Sequence, residues 1–212
     1  MLKTNIIELL NKPIWSLFLA SWLFYLIGLF MFSHLVWDSN TYLYEYNGKN
    51  FADWLSSVRR IDLVRYVLSP LWVITISAVI WLIIKSGLIV LRIEFNTALL
   101  FKIIFLGFFF IALPFWVKSV WLILFKNGYT PNDVKYFFPG SLVSFIDASE
   151  MKLTMVKAIS RFNLFHLSFM LFTAWLISFH STLNYIRSIL LVIFTYGFGL
   201  ALLQGLIIVL AM

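Results

Sequence analysis

The side chains best suited to catalysis or metal binding are sparse in this chain. Its 212 residues include three histidines, His34, His166 and His180, and no cysteine. Thiolate catalysis, thiolate metal sites and disulfides are therefore excluded. His166 and His180 lie on one predicted helix about 21 Å apart, at ~1.5 Å per residue, which is too far to share a metal ion. We interpret all three as histidines near span ends that bond to backbone or lipid, and we expect no metal and no cofactor.

The acidic residues also give no sign of a reaction at membrane depth. All nine lie in the amino-terminal segment or in predicted links, and none is at the centre of an apolar run. Ion-coupled transporters usually place an ionisable group there. The chain has no zinc-protease, serine-hydrolase, P-loop or dinucleotide motif. The pattern favours a protein that is not an enzyme.

Three residues within the apolar runs are candidates for a role inside the membrane. Lys118 is interpreted as a side chain that snorkels from the last two turns of a long helix; the alternative is a polar or lipid-headgroup contact inside the bundle. Pro114 predicts a helix kink near residues 111–114. Gln204 lies deep in the last span and is expected to make an intramembrane polar contact across helices. Its alternative role is to line a pathway.

Small residues form a groove on the last predicted helix. Gly197, Ala201 and Gly205 recur at four-residue spacing, which lets another helix approach closely. Packing within the chain is the favoured interpretation, and docking of a partner subunit is the functional one.

Arg59, Arg60 and Arg65 form the densest basic patch, just before the second predicted span. We interpret it as a contact with anionic lipid. A protein partner with an acidic face is the alternative.

Composition indicates a membrane protein. Apolar residues make up 62% and charged residues 12% of the chain, whereas a soluble domain carries roughly 25% charged residues. Water cannot accommodate so much apolar surface, so the bilayer must serve as the solvent. The net charge of +7 then indicates contact with anionic headgroups and not with nucleic acid.

The hydropathy pattern predicts an all-α polytopic transmembrane helix bundle that forms a single membrane domain. Five spans are expected, at about residues 13–36, 67–91, 98–125, 162–179 and 185–212. An amphipathic segment, residues 1–12, precedes them and can lie on the membrane surface. The polar, aromatic-rich link 37–66 is expected to hold a short helix at residues 51–61, and link 126–160 one or two interfacial helices. Pro70 suits the first turn of the second span, and the last two spans must form an antiparallel hairpin.

Lysine and arginine residues bias the orientation. In a five-span arrangement both long links lie on one side of the membrane, and that side carries ten of the 16 lysine and arginine residues. The positive-inside rule therefore places the long links in the cytoplasm and the amino terminus outside.

The layout and two short stretches resemble the bacterial members of the Yip family, membrane proteins whose eukaryotic relatives interact with Rab/Ypt GTPases. Residues 160–179, SRFNLFHLSFMLFTAWLISF, are similar to that family's fourth span, and residues 5–15, which include NKPIW, are similar to the entry into its first span. The eukaryotic DLYGP signature is absent. The resemblance implies a five-helix fold, an accessory or scaffolding role, and an amino terminus in the cytoplasm, against the charge bias.

We therefore expect a non-enzymatic, multi-pass protein of a bacterial cytoplasmic (inner) membrane. It would act as an accessory, scaffold or assembly subunit of a larger membrane complex, with anionic headgroups and other membrane-protein subunits as partners. The alternative is a transporter or permease subunit that moves a lipid or amphipathic substrate past Lys118 and Gln204. A membrane-embedded enzyme ranks third, because no Asp cluster or Ser/His pair lies at depth.

Overall fold

Helices form nearly all of the structure. The computed structural model describes residues 2–36, 51–125, 129–146 and 151–211, and these ranges contain no β-strand. The prediction of an all-α bundle is confirmed. The α-helices are α1 (Leu2–Asn11), α2 (Ile14–Met31), α3 (Phe51–Val90), α4 (Thr97–Phe125), α5 (Pro131–Tyr136), α6 (Leu153–Ile159), α7 (Leu164–His180), α8 (Tyr185–Val192) and α9 (Phe198–Ala211). Helical turns of the π type, Phe32–Val36 and Ile193–Gly197, extend α2 and join α8 to α9.

Several helices have the length and composition of membrane spans. Within the described ranges, four helices could cross a membrane by length and composition: Ile14–Val36, Asp53–Val90, Thr97–Phe125 and Tyr185–Leu210. In the most apolar 18-residue stretch of each helix, only between 17% and 39% of the residues are buried. Such continuous exposed apolar surface is compatible with a membrane protein and not with a chain surrounded by water. The predicted fourth span corresponds to α7, whose 17 residues cover about 25 Å, and its crossing stays a prediction.

The longest helix differs from the sequence-based expectation. The helix predicted at residues 51–61 and the second predicted span are one helix, because α3 runs unbroken through 40 residues, or about 60 Å. No glycine or proline lies between Phe51 and Ser69. The charges there lower the hydropathy without ending the helix. Its first turns therefore extend well beyond a ~30 Å hydrocarbon layer.

Pro70 lies in the interior of α3 and not in a first turn. A proline has no N–H, so the carbonyl of Tyr66 loses its helical partner. The Ser69 hydroxyl donates to that carbonyl oxygen at 2.7 Å and accepts a hydrogen bond from Trp22 Nε1 at 2.8 Å. One serine thus compensates for the proline and ties α3 to α2.

Helix α4 lies at the centre of the bundle, where it packs against α1, α2, α3 and α7. Its inward side chains are fully covered. They include Leu100, Ile103, Ile104, Phe108 and Leu122. The Ser21 hydroxyl of α2 donates to the Phe105 carbonyl at 2.7 Å, and Trp116 Nε1 donates to the Phe24 carbonyl at 3.0 Å. These bonds fix the register of α2 against α4.

The last helices pack as a hairpin whose starts are capped. Helices α7 and α8 contact each other across a four-residue turn. Asn163 Oδ1 accepts from the backbone N–H of His166, and Asn184 Oδ1 accepts from that of Arg187, both at 2.9 Å. Each asparagine satisfies an N–H that a helix start leaves without a partner.

The segments outside the spans pack against the bundle ends. Leu10 of α1 is buried, and Lys102 Nζ of α4 donates to its carbonyl at 2.8 Å. The predicted interfacial link contains α5, a 3₁₀ turn at Leu142–Phe145, and α6. Residues 37–50, within the other predicted link, lie outside the described residues.

Gly107 allows close packing between α4 and α7. An added Cβ would lie 2.7 Å from Cε2 of Phe169. We expect Gly107→Ala to lower the free energy of unfolding by about 1–3 kcal/mol, because the ring must shift in a filled core. Unfolding by a denaturing detergent, titrated into mild-detergent micelles, measures the change.

Gly205→Ala is the matched control. An added Cβ there meets no heavy atom within 4 Å, so we expect an unchanged or slightly higher stability from the better helix former. Equal losses at both glycines would contradict the packing described for Gly107.

Candidate functional site

Lys118 is enclosed by aromatic rings near the carboxyl end of α4. The residue is 8% exposed, and its Nζ lies 4.5 Å from the ring centroid of Phe138 and 5.2 Å from that of Phe32. Phe32 follows α2 and Phe138 follows α5, so both rings come from one end of the bundle. Among the described residues the ammonium makes no ion pair. This geometry is closer to a polar contact inside the bundle than to an amine that snorkels into water.

Pro114 lies one turn before Lys118, and α4 continues through it without a break. Its ring removes the N–H that would bond to the Phe110 carbonyl. The kink expected at this position stays a prediction.

Gln204 faces protein although most of α9 faces outward. It is 6% exposed, whereas its neighbour Leu203 is 55% exposed. Helix α9 packs against α6. None of the described residues hydrogen-bonds to the Gln204 amide, so the cross-helix bond expected from the sequence is not seen within that part of the chain.

The small-residue groove is covered at one end and open at the other. A Cβ on Gly197 would lie 3.2 Å from Sδ of Met170 in α7, whereas one on Gly205 meets nothing within 4 Å. Ala201, between them, is half-buried. The end at Gly197 therefore serves packing within the chain, and the end at Gly205 leaves room for a helix from outside.

The basic patch lies on the part of α3 that extends past the hydrocarbon layer. Arg59 and Arg60 are exposed. Arg65 forms an ion pair with Asp62, with Nη1 2.9 Å from Oδ1, and its own side chain is 63% exposed. Residues 66–90 alone cover about 37 Å, so the patch is at or beyond headgroup level. Contact with anionic lipid stays a prediction that this position supports.

Two of the histidines have partners that sequence patterns did not reveal. Nδ1 of His34 lies 3.0 Å from the Tyr66 hydroxyl. His166, which is buried, places Nδ1 3.2 Å from Asn163 Oδ1, and its ring lies parallel to that of Tyr196. The spacing from Asn163 to His166 is a helix-cap signal that could have been used. The pairing with Tyr66 joins distant parts of the chain and leaves no local signal.

Within the described residues no three His, Asp or Glu side chains come together as a metal site would require. Compared with known proteins, the chain matches no family model, no curated protein and no solved structure. Function must therefore be argued from the geometry of the chain itself.

The ring contacts of Lys118 can be tested at Phe138. We expect Phe138→Leu to lower stability by about 1 kcal/mol through loss of a cation–π contact. The substitution should also raise the rate at which a water-soluble amine reagent labels Lys118, because one wall of the enclosure is removed. Mass spectrometry of the labelled peptide measures that rate against the exposed Lys12.

Phe145→Leu is the control for this substitution, since Phe145 is 87% exposed. It should leave the labelling of Lys118 unchanged. A Lys118 that reacts as fast as Lys12 in the unaltered protein would show that the enclosure does not exist.

Proposed function

We propose that this protein is a non-enzymatic accessory or assembly subunit of a larger complex in a bacterial cytoplasmic membrane, crossing the bilayer five times. The observation that carries the proposal is the open end, at Gly205, of the small-residue groove formed by Gly197, Ala201 and Gly205. In the last candidate span, Tyr185–Leu210, only 17% of the most apolar 18-residue stretch is buried, a smaller share than in the other candidate spans. This helix is attached to its own bundle along a narrow side and offers the rest outward.

The chemistry of the open face suits another transmembrane helix. Between helices in lipid, close backbone approach replaces the hydrophobic effect as the source of affinity, and small residues permit it. Gly205 provides that approach. The neighbouring side chains Leu202 and Leu206 are 60% and 56% exposed and would pack beside the backbone of the partner helix.

The projecting part of α3 supports the same role. If residues 66–90 cross the bilayer, this continuous helix would carry the exposed Arg59 and Arg60 beyond the hydrocarbon layer. Such an arm can hold an anionic headgroup or an acidic surface of a neighbouring subunit.

Transport of a lipid or amphipathic substrate is the second candidate function. Lys118 is a cation within a span, and Gln204 is a buried amide in another. Two observations speak against it, because the ammonium is covered by two rings and Gln204 is itself buried. Neither residue lines the cleft that opens between α3 and α8.

Flux in proteoliposomes separates the two functions. If the protein is an assembly subunit, the double variant Lys118→Met with Gln204→Leu should move a fluorescent phospholipid at the same rate as the unaltered protein. A flux that depends on the unaltered protein and falls tenfold in the variant would favour transport.

The groove itself is tested by filling it. We expect Gly205→Ile to weaken co-purification of a partner subunit in mild detergent by about tenfold or more, because the branched side chain holds the two backbones apart. Quantitative mass spectrometry of the purified complex gives the ratio of partner to bait.

Leu206→Ile keeps the volume of a neighbouring exposed side chain and should retain the partner. The proposal fails if the unaltered protein migrates alone in several mild detergents, or if both variants behave identically.

A further inference from the structure

A cleft of ≈ 700 Å³ opens at the end of the bundle opposite to Lys118, between the carboxyl end of α3 and the amino end of α8. This volume is in the range of small-molecule sites, roughly 300–1,000 Å³. The polar lining includes Arg92, Thr182 and Arg187, and the apolar lining includes Val90, Leu190 and Phe194. The function proposed above makes no use of this cleft.

Both arginines present charge that no described acid neutralises. Arg92 and Arg187 are exposed and form no ion pair or side-chain hydrogen bond with the described residues. Glu94 follows Arg92 closely along the chain but does not line the cleft. By contrast, Lys85 at this end of the bundle already has a partner within the chain, since its Nζ donates a hydrogen bond to the Phe95 carbonyl at 2.8 Å. The cleft therefore holds two positive charges that remain available to an anion.

The backbone at Arg92 supports a role for this side chain. Its N–H donates to the Ile89 carbonyl, and the N–H of Ile93 donates to the Leu88 carbonyl, both at 2.9 Å. This is the helix-ending motif that usually places glycine in the left-handed position. Here that position is occupied by arginine with a φ of 55°. The left-handed backbone at Arg92 therefore has a conformational cost, and the residue lines the cleft.

The apolar wall shows that the expected ligand has a hydrocarbon part. Val90 is 79% exposed, Phe194 70% and Leu190 48%. All three belong to candidate membrane spans, so the wall opens sideways toward lipid. A small soluble anion would use the arginines and leave this wall uncovered. A ligand with an anionic group and a hydrocarbon chain would contact both the arginines and the apolar wall.

We propose that this cleft binds an anionic phospholipid, with its phosphate between Arg92 and Arg187 and an acyl chain along Leu190 and Phe194. Guanidinium groups suit phosphate oxygens through paired, charge-assisted hydrogen bonds. Because α3 ends at Val90 and α8 begins at Tyr185, the phosphate would lie at the level where the spans end, which is the headgroup layer of the bilayer.

Lipid titration of the purified full chain tests this proposal. Native mass spectrometry in detergent counts phosphatidylglycerol and phosphatidylcholine of identical acyl chains bound to each variant. We expect phosphatidylglycerol to bind more tightly to the unaltered protein. Replacing Arg92→Gln and Arg187→Gln should weaken it by about fivefold each and roughly thirtyfold together. Phe194→Ala should weaken both lipids.

The control pair is Arg59→Gln with Arg60→Gln, two exposed arginines at the opposite end of α3, which should leave the tight site intact. Arg92→Gly relieves the left-handed strain, so it should keep or raise thermal stability while lowering phosphatidylglycerol affinity. This variant separates loss of the site from loss of the fold.

Three outcomes would overturn the proposal. One is phosphatidylglycerol affinity within about twofold of normal in the double arginine variant. Another is an equal loss in the Arg59 and Arg60 control. The third is complete displacement of the lipid by inorganic phosphate with no effect of Phe194→Ala, which would show a site for free phosphate.

Discussion

Inside hydrocarbon, a backbone carbonyl that loses its helical N–H partner finds no water to replace it. In two places where a helix ends or loses a backbone hydrogen bond, a side chain donates a hydrogen bond to the free carbonyl. The Ser69 hydroxyl bonds to the Tyr66 carbonyl that Pro70 leaves free. At the end of α1, the Lys102 ammonium bonds to the Leu10 carbonyl. At these two places the freed carbonyl is bonded by a side chain, in one case from the same helix and in the other from a neighbouring helix.

The same constraint sorts the cations of the bundle. Lys85 and Lys102 are bound to backbone carbonyls, and Lys118 is enclosed by two rings. These three serve the architecture. Arg92 and Arg187, by contrast, lie at helix ends, are exposed and line a cleft.

Hydropathy predicted the all-α fold and the positions of α2, α4 and the final hairpin. A helix surrounded by lipid needs a long run of apolar residues, and such a run can be recognised from residue types alone. It could not show that α3 is one helix, since Arg59 and Asp62 interrupt the apolar pattern but not helix formation. The site was harder to predict. Lys118 meets Phe32 and Phe138, which are far from it in sequence, and only packing decides that contact. The left-handed backbone of Arg92 left no sequence signal, because the glycine that usually marks such a helix end is absent.

The number of crossings depends on α7, which at about 25 Å is roughly 5 Å shorter than the hydrocarbon layer. Leu164, Leu167, Leu171 and Phe179 expose an apolar stripe along its whole length, each being more than one third exposed. Its opposite face packs against α4 and α8. A helix that lies on the membrane surface needs a polar face for water, and α7 has no charged residue. The predicted crossing by α7 would need local thinning of the bilayer, or the capped turns at its ends, to make up the difference in length.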